Sequence, residues 1–189
     1  DIRNSWHFTN NFIFEKLVNL KKEISVIITR FKNGEYIIYE PIENIHHNQI
    51  LKKSKIPANI NKKIFLLSQE NTKIIAEKLN YVGTMCVEYF INNNNLLLVN
   101  EIAPRVHNSG HLTINAFNVS QFENHIRAVC ELKKLTLNKR FNAEMTNILG
   151  DEIENYRKKY FSKKEFFFDY LKDDIKSKRK MGHLTILKD

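Results

Sequence analysis

The sequence has little cysteine, glycine or proline, and the low content of cysteine and glycine excludes particular kinds of site. Its 189 residues include two cysteines, five glycines and three prolines. Cys86 and Cys130 lie far apart and outside any C-x-x-C motif, so they predict neither a disulfide framework nor a zinc site. This usage suits a reduced, cytoplasmic protein. The few glycines form neither a G-x-G-x-x-G nor a Walker A phosphate loop.

Long apolar runs are also missing. No stretch approaches the roughly 18 consecutive apolar residues of a transmembrane helix, and the first residues are polar. We therefore expect no membrane span, no membrane partner and no signal peptide. At 42% hydrophobic residues the composition is ordinary for a globular chain, and this length is enough for one or two domains with a buried core.

The net charge of +9 raises the question of nucleic-acid binding. Residues 156–170 mix lysine and arginine with aromatic side chains, a pattern that can hold single strands. Lysine is nevertheless used along the whole chain rather than in one patch. We therefore expect a solvated basic surface and no nucleic-acid partner, although the same charge suits small ligands that carry phosphate.

Residues 84–111 are the most informative stretch of the chain. Two apolar runs flank Asn92–Asn95, which predict a hairpin because asparagine tolerates the left-handed backbone of a tight turn. Each run contains one acid. With a turn of two or four residues, Glu88 lies opposite Val99, and Glu101 is its diagonal neighbour on the same face, with Cβ atoms about 7–8 Å apart. A turn with an odd number of residues places the two acids on opposite faces.

Two carboxylates so placed raise each other's pKa unless a cation lies between them. One or two carboxylates and a substrate phosphate are the usual ligands of Mg²⁺. The hairpin alone leaves open the alternative that both acids simply face water. Residues 100–111 favour a site, because Asn, Glu, Arg, His and Ser side chains crowd into twelve positions. Pro104 ends the strand there, and Gly110 permits close approach of a ligand to the backbone.

The pattern in the first half of the chain predicts strands and one helix. Residues 61–80 have helical spacing with Asn61 as the N-cap, and Asn33-Gly34 marks a tight hairpin turn. Residues 43–58 lack a clear period and predict a loop or an edge segment. The apolar runs that predict strands are residues 12–18, 24–31 and 36–42.

The second half is predicted to contain a helix and a small C-terminal unit. Ser120 and Glu123 form a capping box that opens a helix to about Leu132. Its apolar positions, which share one face, are Phe122, Ile126, Val129 and Cys130. Residues 133–143 are basic and irregular. Beyond them a helical turn within 151–160 and short strands are predicted, the strands at 145–150, 166–171 and 183–187.

The sequence VNEIAPRVHNSGH at 99–111, followed by SQFENHIRAVC at 120–130, resembles the signature of the 5-(carboxyamino)imidazole ribonucleotide synthases. These enzymes, also known as the ATPase subunit of phosphoribosylaminoimidazole carboxylase, are ATP-grasp ligases. The similarity extends in family order over segments at 14–30, 41–58 and 178–187. A strand acid followed by Asn-Glu is shared by other ATP-grasp enzymes, whereas APRVHNSGH is specific to this family.

The resemblance implies an α+β ATP-grasp fold followed by a small, mostly β C-terminal domain. Residues 1–14 would end a lid subdomain, residues 15–135 would form the core subdomain, and residues 136–189 would form the truncated C-terminal domain. The implied reaction is the ATP-dependent carboxylation of 5-aminoimidazole ribonucleotide by bicarbonate, through carboxyphosphate, in purine biosynthesis. Its cofactors would be ATP and Mg²⁺.

The resemblance also implies roles for particular residues. Those implied to contact adenine are Glu15, Lys16, Leu17 and Val18, and those implied to bind the rest of ATP are Glu23, His46, Asn100 and Glu101. The implied Mg²⁺ ligands are Glu88, Asn100 and Glu101. The implied catalytic loop residues are Arg105, His107, Asn108 and Ser109. The implied pocket for the ribonucleotide phosphate consists of Lys172, Arg179, Lys180 and His183.

The chain departs from the family at its N-terminal side. Members have a Rossmann-like domain and a glycine-rich phosphate loop upstream, and residues 1–14 supply neither. We therefore expect the isolated chain to be inactive and to need the missing N-terminal half as a partner. A homodimer is a further open possibility. Two other readings stay open, namely a different ATP-grasp carboxylase or carboxylate–amine ligase, and a catalytically inactive binding or assembly remnant.

Overall fold

The computed structural model describes residues 15–189, so the first three residues of the strand predicted at 12–18 lie outside the described residues. The part that is described does not support the prediction. Residues 15–19 pair with no strand and run along the surface, and the side chain of Leu17 is 90% exposed. A single backbone hydrogen bond, from Asn93 N to Asn19 O at 3.1 Å, attaches this segment to the rest of the described chain.

One nine-stranded sheet organises the described residues, with the strand order β6-β5-β1-β3-β4-β7-β9-β8 and β2 paired to β1. Its described pairings are antiparallel. The strands are β1 Leu20–Arg30, β2 Tyr36–Ile38, β3 Ile42–His47, β4 Ile50–Ile56, β5 Gly83–Asn92, β6 Leu97–Ala103, β7 Asn142–Leu149, β8 Glu165–Asp169 and β9 Lys180–Lys188. The helices are α1 Lys62–Lys78, α2 Thr113–Ala116, α3 Gln121–Val129 and α4 Glu152–Arg157, with a 3₁₀ helix at Asn108–Leu112.

The centre of β1 is buried on both faces, because helices cover both sides of the sheet there. Ile24, Val26 and Ile28 pack with Ile64 of α1 on one face. Ile27 packs on the other face with residues of the 3₁₀ helix, α2 and α3. This double burial explains the nearly continuous apolar run of the strand. The predicted strands around Asn33-Gly34 and the predicted helix with its Asn61 cap are confirmed.

The prediction of a loop or edge segment at 43–58 was wrong. β3 and β4 form a hairpin inside the sheet, between β1 and β7. Asn48 and Gln49 make its two-residue turn with φ of 49° and 64°, the backbone of a type I′ turn. The pattern hid these strands because the buried side chains of Asn44 and Ser54 interrupt the apolar alternation.

Helix α3 is present as predicted, but its apolar face points outwards. Phe122, Ile126 and Val129 are 37%, 54% and 47% exposed. The polar side chains of Gln121 and Asn124 are buried instead. Asn124 donates a hydrogen bond to Tyr39 Oη at 2.7 Å, and Gln121 bonds to the backbone of residue 107. These polar anchors set the rotation of the helix.

The C-terminal unit has a small core of its own and continues the same sheet. Its strands and α4 lie where the sequence predicts them. Ile148, Ile153, Met181 and Leu184 form its core, while β7 pairs with β4 of the larger part. Within the described residues, the helices are all too short or too polar to cross a membrane.

The hairpin joining β5 and β6 has a different register from the predicted one. Its loop has three residues, since Asn92 N donates to Leu96 O at 3.1 Å. An odd loop alone would separate the two acids. A bulge compensates, because the register shifts by one between Glu88 and Tyr89 and leaves Asn100 as the extra residue of β6. Glu88 therefore pairs directly with Glu101 instead of Val99. The odd loop and the bulge each shift the register by one residue, and because the total shift is two residues the predicted shared face is retained.

Replacing Asn95 in this turn by valine should lower the free energy of unfolding by about 1–2 kcal/mol, because a β-branched residue disfavours the left-handed backbone. Asn95 has φ 57°, whereas Asn93 is outside the left-handed region. Asn93→Val should therefore change stability by less than about 0.5 kcal/mol. Urea denaturation of both variants measures the difference.

Asn95→Gly separates backbone strain from the lost side chain, whose oxygen accepts a hydrogen bond from Lys21 Nζ at 2.9 Å. Glycine tolerates the turn, so this variant should remain close to wild-type stability. A loss as large as that of Asn95→Val would show that the side-chain contact, and not the backbone conformation, stabilises the turn.

Candidate active site

A polar cavity of about 470 Å³ lies where the β5–β6 pair, the β3–β4 hairpin and the C-terminal unit meet. The larger part of the chain contributes both acids and the loop after β6, and the C-terminal unit contributes three lysines. The lining residues are His46, Gln49, Ile50, Leu51, Glu88, Glu101, His107, Lys172, Lys178 and Lys180. Segments far apart in sequence thus surround one space with groups of both charges.

The two hairpin acids stand side by side at this cavity, and they differ in environment. The Glu88 side chain is only 13% exposed, whereas Glu101 is exposed to solvent. Burial raises the pKa of Glu88, the charge of His46 opposes this rise, and the charge of Glu101 adds to it. A cation between the acids would relieve the repulsion.

The donor set suits a magnesium ion that is completed by a ligand. Within residues 15–189 there is no cluster of three His, Cys, Asp or Glu side chains that would hold a metal by themselves. Mg²⁺ typically uses one or two carboxylates together with waters and substrate phosphates. Glu88 and Glu101 match that pattern, and Asn100, on the bulge beside them, supplies an amide oxygen as a third candidate.

Glu23 and His46 form a pair at the same end of the sheet. His46 Nδ1 contacts the Glu23 carboxylate, and this bond raises the pKa of the imidazole. The structure therefore brings these two predicted ATP-binding residues together. His46 also lines the central cavity, on the side facing Glu88.

The loop after β6 is anchored by the buried amide of Gln121. Its Nε2 donates to His107 O at 2.7 Å, and its Oε1 accepts from His107 N at 3.0 Å. A Cβ at Gly110 would lie 2.5 Å from Gln121 Oε1, so this close packing requires glycine. No sequence pattern indicates the role of Gln121, because that role depends on α3 folding back onto the loop.

Within this loop the four predicted catalytic residues have different environments. His107 Nε2 lies 3.7 Å from Glu88 Oε1, beyond a direct hydrogen bond, and burial together with the charge of Arg105 lowers the pKa of His107 to about 4. Both amide atoms of Asn108 are buried without a hydrogen-bond partner among the described residues, a situation that points to a ligand. Arg105 is exposed, while Ser109 is fully buried beneath the loop.

The structure brings together only part of the predicted phosphate pocket. Lys172 and Lys180 line the cavity, and Lys172 Nζ donates to Lys180 O at 2.6 Å. Lys178, which sequence reasoning missed, lines it as well. Arg179 is outside the wall and donates to Asp174 O at 3.1 Å.

His183 is the other predicted phosphate residue that lies outside the cavity wall. Its Nδ1 is 3.0 Å from Tyr170 Oη, and its ring stacks on Phe168 with centroids 5.4 Å apart. Burial lowers its pKa to about 4, so the ring is neutral at physiological pH. His183 thus packs in an aromatic layer, and its role at the ribonucleotide phosphate stays a prediction.

A second cleft of about 460 Å³ lies beside the β5–β6 turn. Lys16, Leu17 and Val18 form one wall, while Glu15 is not among the residues lining the cleft. Leu96 and Leu98 of the opposite wall were not predicted, because they face this segment only once the hairpin has folded. A flat ring between apolar side chains and backbone groups fits such a cleft. The other lining residues are Asn19, Asn92, Asn93 and Asn94.

Two family models cover most of the chain. The ATP-grasp domain model matches residues 1–122, and the model of the phosphoribosylaminoimidazole carboxylase C-terminal domain matches residues 143–189. The chain is 44% identical over 177 residues to the N5-carboxyaminoimidazole ribonucleotide synthase of Bacillus subtilis, covering 93% of this chain and 47% of the relative. It is 41% identical over 188 residues to the synthase of Staphylococcus aureus strain COL, covering 95% and 48%.

Solved structures of synthases with the same name share the fold described above. The ADP complex of an N5-carboxyaminoimidazole ribonucleotide synthetase superimposes with a TM-score of 0.88 at 41% identity, over 93% of this chain and 47% of that one. The Aspergillus clavatus synthase, in complex with ADP and 5-aminoimidazole ribonucleotide, gives 0.85 at 29% identity, over 92% and 48%. The chain thus spans about half the length of its relatives. It belongs to the ATP-grasp family, on the branch whose C-terminal domain is that of phosphoribosylaminoimidazole carboxylase.

Proposed function

We propose that this chain is the catalytic half of an N5-carboxyaminoimidazole ribonucleotide synthase, an ATP-dependent ligase of purine biosynthesis. The observation that carries the proposal is the central cavity, where an acid pair, the His107 ring and three lysines surround one space. The relatives bear this name, and the Aspergillus clavatus structure holds ADP and 5-aminoimidazole ribonucleotide. Its location would be the cytoplasm, where free thiols such as Cys86 and Cys130 stay reduced.

In the proposed reaction a bicarbonate oxygen attacks the γ-phosphorus of ATP, and ADP leaves. The amine nitrogen of 5-aminoimidazole ribonucleotide then attacks the carbonyl carbon of carboxyphosphate, which expels phosphate and leaves the carboxylated amine. Both steps develop negative charge on oxygen. Fixed donors aimed at such oxygens are a large catalytic term, and His107, Asn108 and Arg105 are the candidates in this loop.

The remaining groups of the site would bind and orient the substrates. Lys16, Leu17 and Val18 would hold the adenine in the cleft beside the hairpin turn. Glu88 and Glu101, with Asn100, would hold Mg²⁺, which when bound offsets the charge of the ATP phosphates. Lys172, Lys178 and Lys180 would bind the phosphate of the ribonucleotide, since lysine supplies a compact positive charge. Glu23 and His46 lie between the two clefts and would contact the nucleotide.

The partner we propose is the other half of the enzyme, which the relatives carry in the same polypeptide. The purified chain alone should release ADP at a negligible rate. Adding the unmatched half of the Bacillus subtilis relative should produce ADP release that depends on both bicarbonate and 5-aminoimidazole ribonucleotide. A coupled ADP assay measures this.

The same assay separates the alternatives. Equal ADP release with other amines or carboxylates would assign the chain to a different ATP-grasp ligase. A complex of the two halves that forms but stays inactive would identify an inactive assembly remnant. Turnover by the chain alone, at rates normal for an enzyme, would contradict the need for a second half.

Substituting Lys180 by methionine should weaken ribonucleotide binding about tenfold or more, because a hydrogen bond to a charged group contributes about 1.5–3 kcal/mol. ATP binding should change much less. Arg179→Met is the matched control, because Arg179 is the neighbouring residue and lies outside the cavity wall. Isothermal titration of the reconstituted enzyme with each ligand gives both affinities.

A larger loss for Arg179→Met than for Lys180→Met would restore the sequence-based assignment of Arg179 and reject the cavity-based one. Similar small losses at both positions, with an affinity for oligonucleotides that falls steeply with salt, would instead indicate nucleic-acid binding.

Removing the charge of Glu88 should stabilise the chain at pH 7 when divalent cations are absent. Because burial and Glu101 raise the pKa of Glu88, the folded state binds this proton more tightly than the unfolded state. Stability is therefore lost as pH rises from the ordinary carboxyl pKa of about 4.3 through the raised value. Glu88→Gln avoids this loss, and its advantage should vanish below about pH 4, where Glu88 is protonated in both states.

Urea denaturation in EDTA, at both pH values, measures the effect. Glu123→Gln is the control, since Glu123 is an exposed acid with an arginine partner. Millimolar Mg²⁺ should stabilise the wild type and leave Glu88→Gln unchanged. A wild type that is the more stable protein at pH 7 in EDTA would show that Glu88 already has a sufficient cationic partner within the chain.

A further inference from the structure

Five polar side chains form a continuous hydrogen-bonded chain beneath the central cavity. Ser54 Oγ donates to Asn44 Oδ1 at 2.8 Å, and Asn44 Nδ2 donates to Ser25 Oγ at 3.0 Å. Ser25 Oγ donates to Ser109 Oγ at 2.8 Å, and Ser109 Oγ is 2.8 Å from His107 Nδ1. The chain runs from β4 through β3 and β1 to the loop after β6. We call it the relay.

The relay occupies positions where apolar side chains would be expected. Ser25 lies within the apolar run of β1, and it is fully buried, as are Ser54 and Ser109; Asn44 is 5% exposed. Burying polar groups is unfavourable unless each finds a partner, and replacing a whole bonded set by apolar groups is often nearly neutral. Stability alone therefore does not account for the relay. Its end at a ring that lines the cavity suggests a role there.

The direction of the hydrogen bonds is determined at the His107 end. The backbone N–H of Ser109 lies 3.4 Å from His107 Nδ1, and a backbone N–H can only donate. This long contact favours a lone pair on Nδ1 and a proton on Nε2, whereas the shorter contact of 2.8 Å to Ser109 Oγ decides between the two tautomers. A Ser109 hydroxyl that accepts from Ser25 has its own proton free for Nδ1, so the rest of the relay enforces the same tautomer.

We propose that Asn44 and Ser25, supported by Ser54, are positioning residues that hold His107 in the Nε2–H tautomer. His107 then acts as a neutral hydrogen-bond donor toward an anionic oxygen in the cavity, and not as a general base. Its Nε2 lies 3.7 Å from Glu88 Oε1, beyond a direct hydrogen bond, and the ring lines the cavity in which a ligand oxygen would accept the Nε2 proton. The assignment of the tautomer does not depend on the proposed carboxylation. The catalytic role of the Nε2–H donor does depend on that proposed function.

Asn44→Asp tests the relay, because it exchanges the amide donor for an acceptor of the same shape. Ser25 would then donate to the new carboxylate, Ser109 would donate to Ser25, and His107 Nδ1 would have to carry a proton to donate to Ser109. Nitrogen-15 NMR of the histidine-labelled 189-residue chain at pH 7 distinguishes the two forms. His107→Gln identifies the relevant signals.

We expect a pyridine-like Nδ1 and a pyrrole-like Nε2 in the wild type, and a protonated Nδ1 in Asn44→Asp. Asn124→Asp is the matched control, since Asn124 is also buried and also donates to a hydroxyl, Tyr39 Oη, at 2.7 Å. It should destabilise the chain to a similar degree and leave the His107 signals unchanged. If Asn44→Asp does not fold, Ser25→Ala replaces it and should populate both tautomers.

Two results would overturn the assignment: a wild type with Nδ1 protonated, or folded relay variants with the wild-type tautomer. In the reconstituted enzyme, Asn44→Asp should lower kcat about a hundredfold, the typical effect of losing one donor to a developing oxyanion, with KM for ATP nearly unchanged. An inactive wild-type reconstitution would reject the proposed function and leave the tautomer result intact. An unchanged kcat in a variant with the reversed tautomer would reject the donor role alone.

Discussion

The direct pairing of Glu88 with Glu101 across β5 and β6 is the constraint around which the site is arranged. Two carboxylates opposite each other on one face of a sheet are unfavourable, more so when one of them is buried. The surrounding groups are placed to offset this repulsion. His46 approaches from the β3–β4 hairpin, and Lys180 approaches from β9, where the charge of Glu88 counters the lowering of its pKa by burial.

The sheet face that carries Glu88 and Glu101 is apolar at one end of its strands and polar at the other. The site lies at the border between these two regions. Around Ile27 and Cys86 the face is apolar and covered by the 3₁₀ helix, α2 and α3. One step further, at Ser25 and Glu88, it becomes polar. The loop after β6 crosses this border and is held there by Gln121. Because α3 directs this side chain inwards, its apolar residues remain on the surface.

A nucleotide-dependent ligase must bring several charged substrates together and exclude water. The described residues form one cleft beside the β5–β6 turn and one polar cavity, and the Glu23–His46 pair lies at the edge of that cavity, since His46 lines it. Since the relatives are about twice as long, the proposed second half would supply what covers these openings. The buried Asn108 amide, in the loop after β6, lacks a hydrogen-bond partner among the described residues.

Sequence patterns alone determined the helices that are capped by Asn61 and Ser120 and the turn at Asn33-Gly34. They also determined the strands of the C-terminal unit and the grouping of polar residues after β6. These features depend on neighbouring residues, whose preferences are local. The motif in the loop likewise identified the family. The prediction of strands from sequence failed where buried polar side chains interrupt the alternation of apolar residues, as in β3 and β4.

Only the tertiary structure decided the register of Glu88, the rotation of α3 and the composition of the cavity wall. Each depends on contacts between segments that are distant in sequence. The register depends on a loop length that a bulge compensates, and the rotation of α3 depends on Gln121, which bonds to the backbone 14 residues away. The cavity wall depends on lysines near the C-terminus that line the same space as the acids of β5 and β6. Hydrophobic period carries no information on such contacts, because a buried polar side chain is placed by its partner and not by its neighbours in sequence.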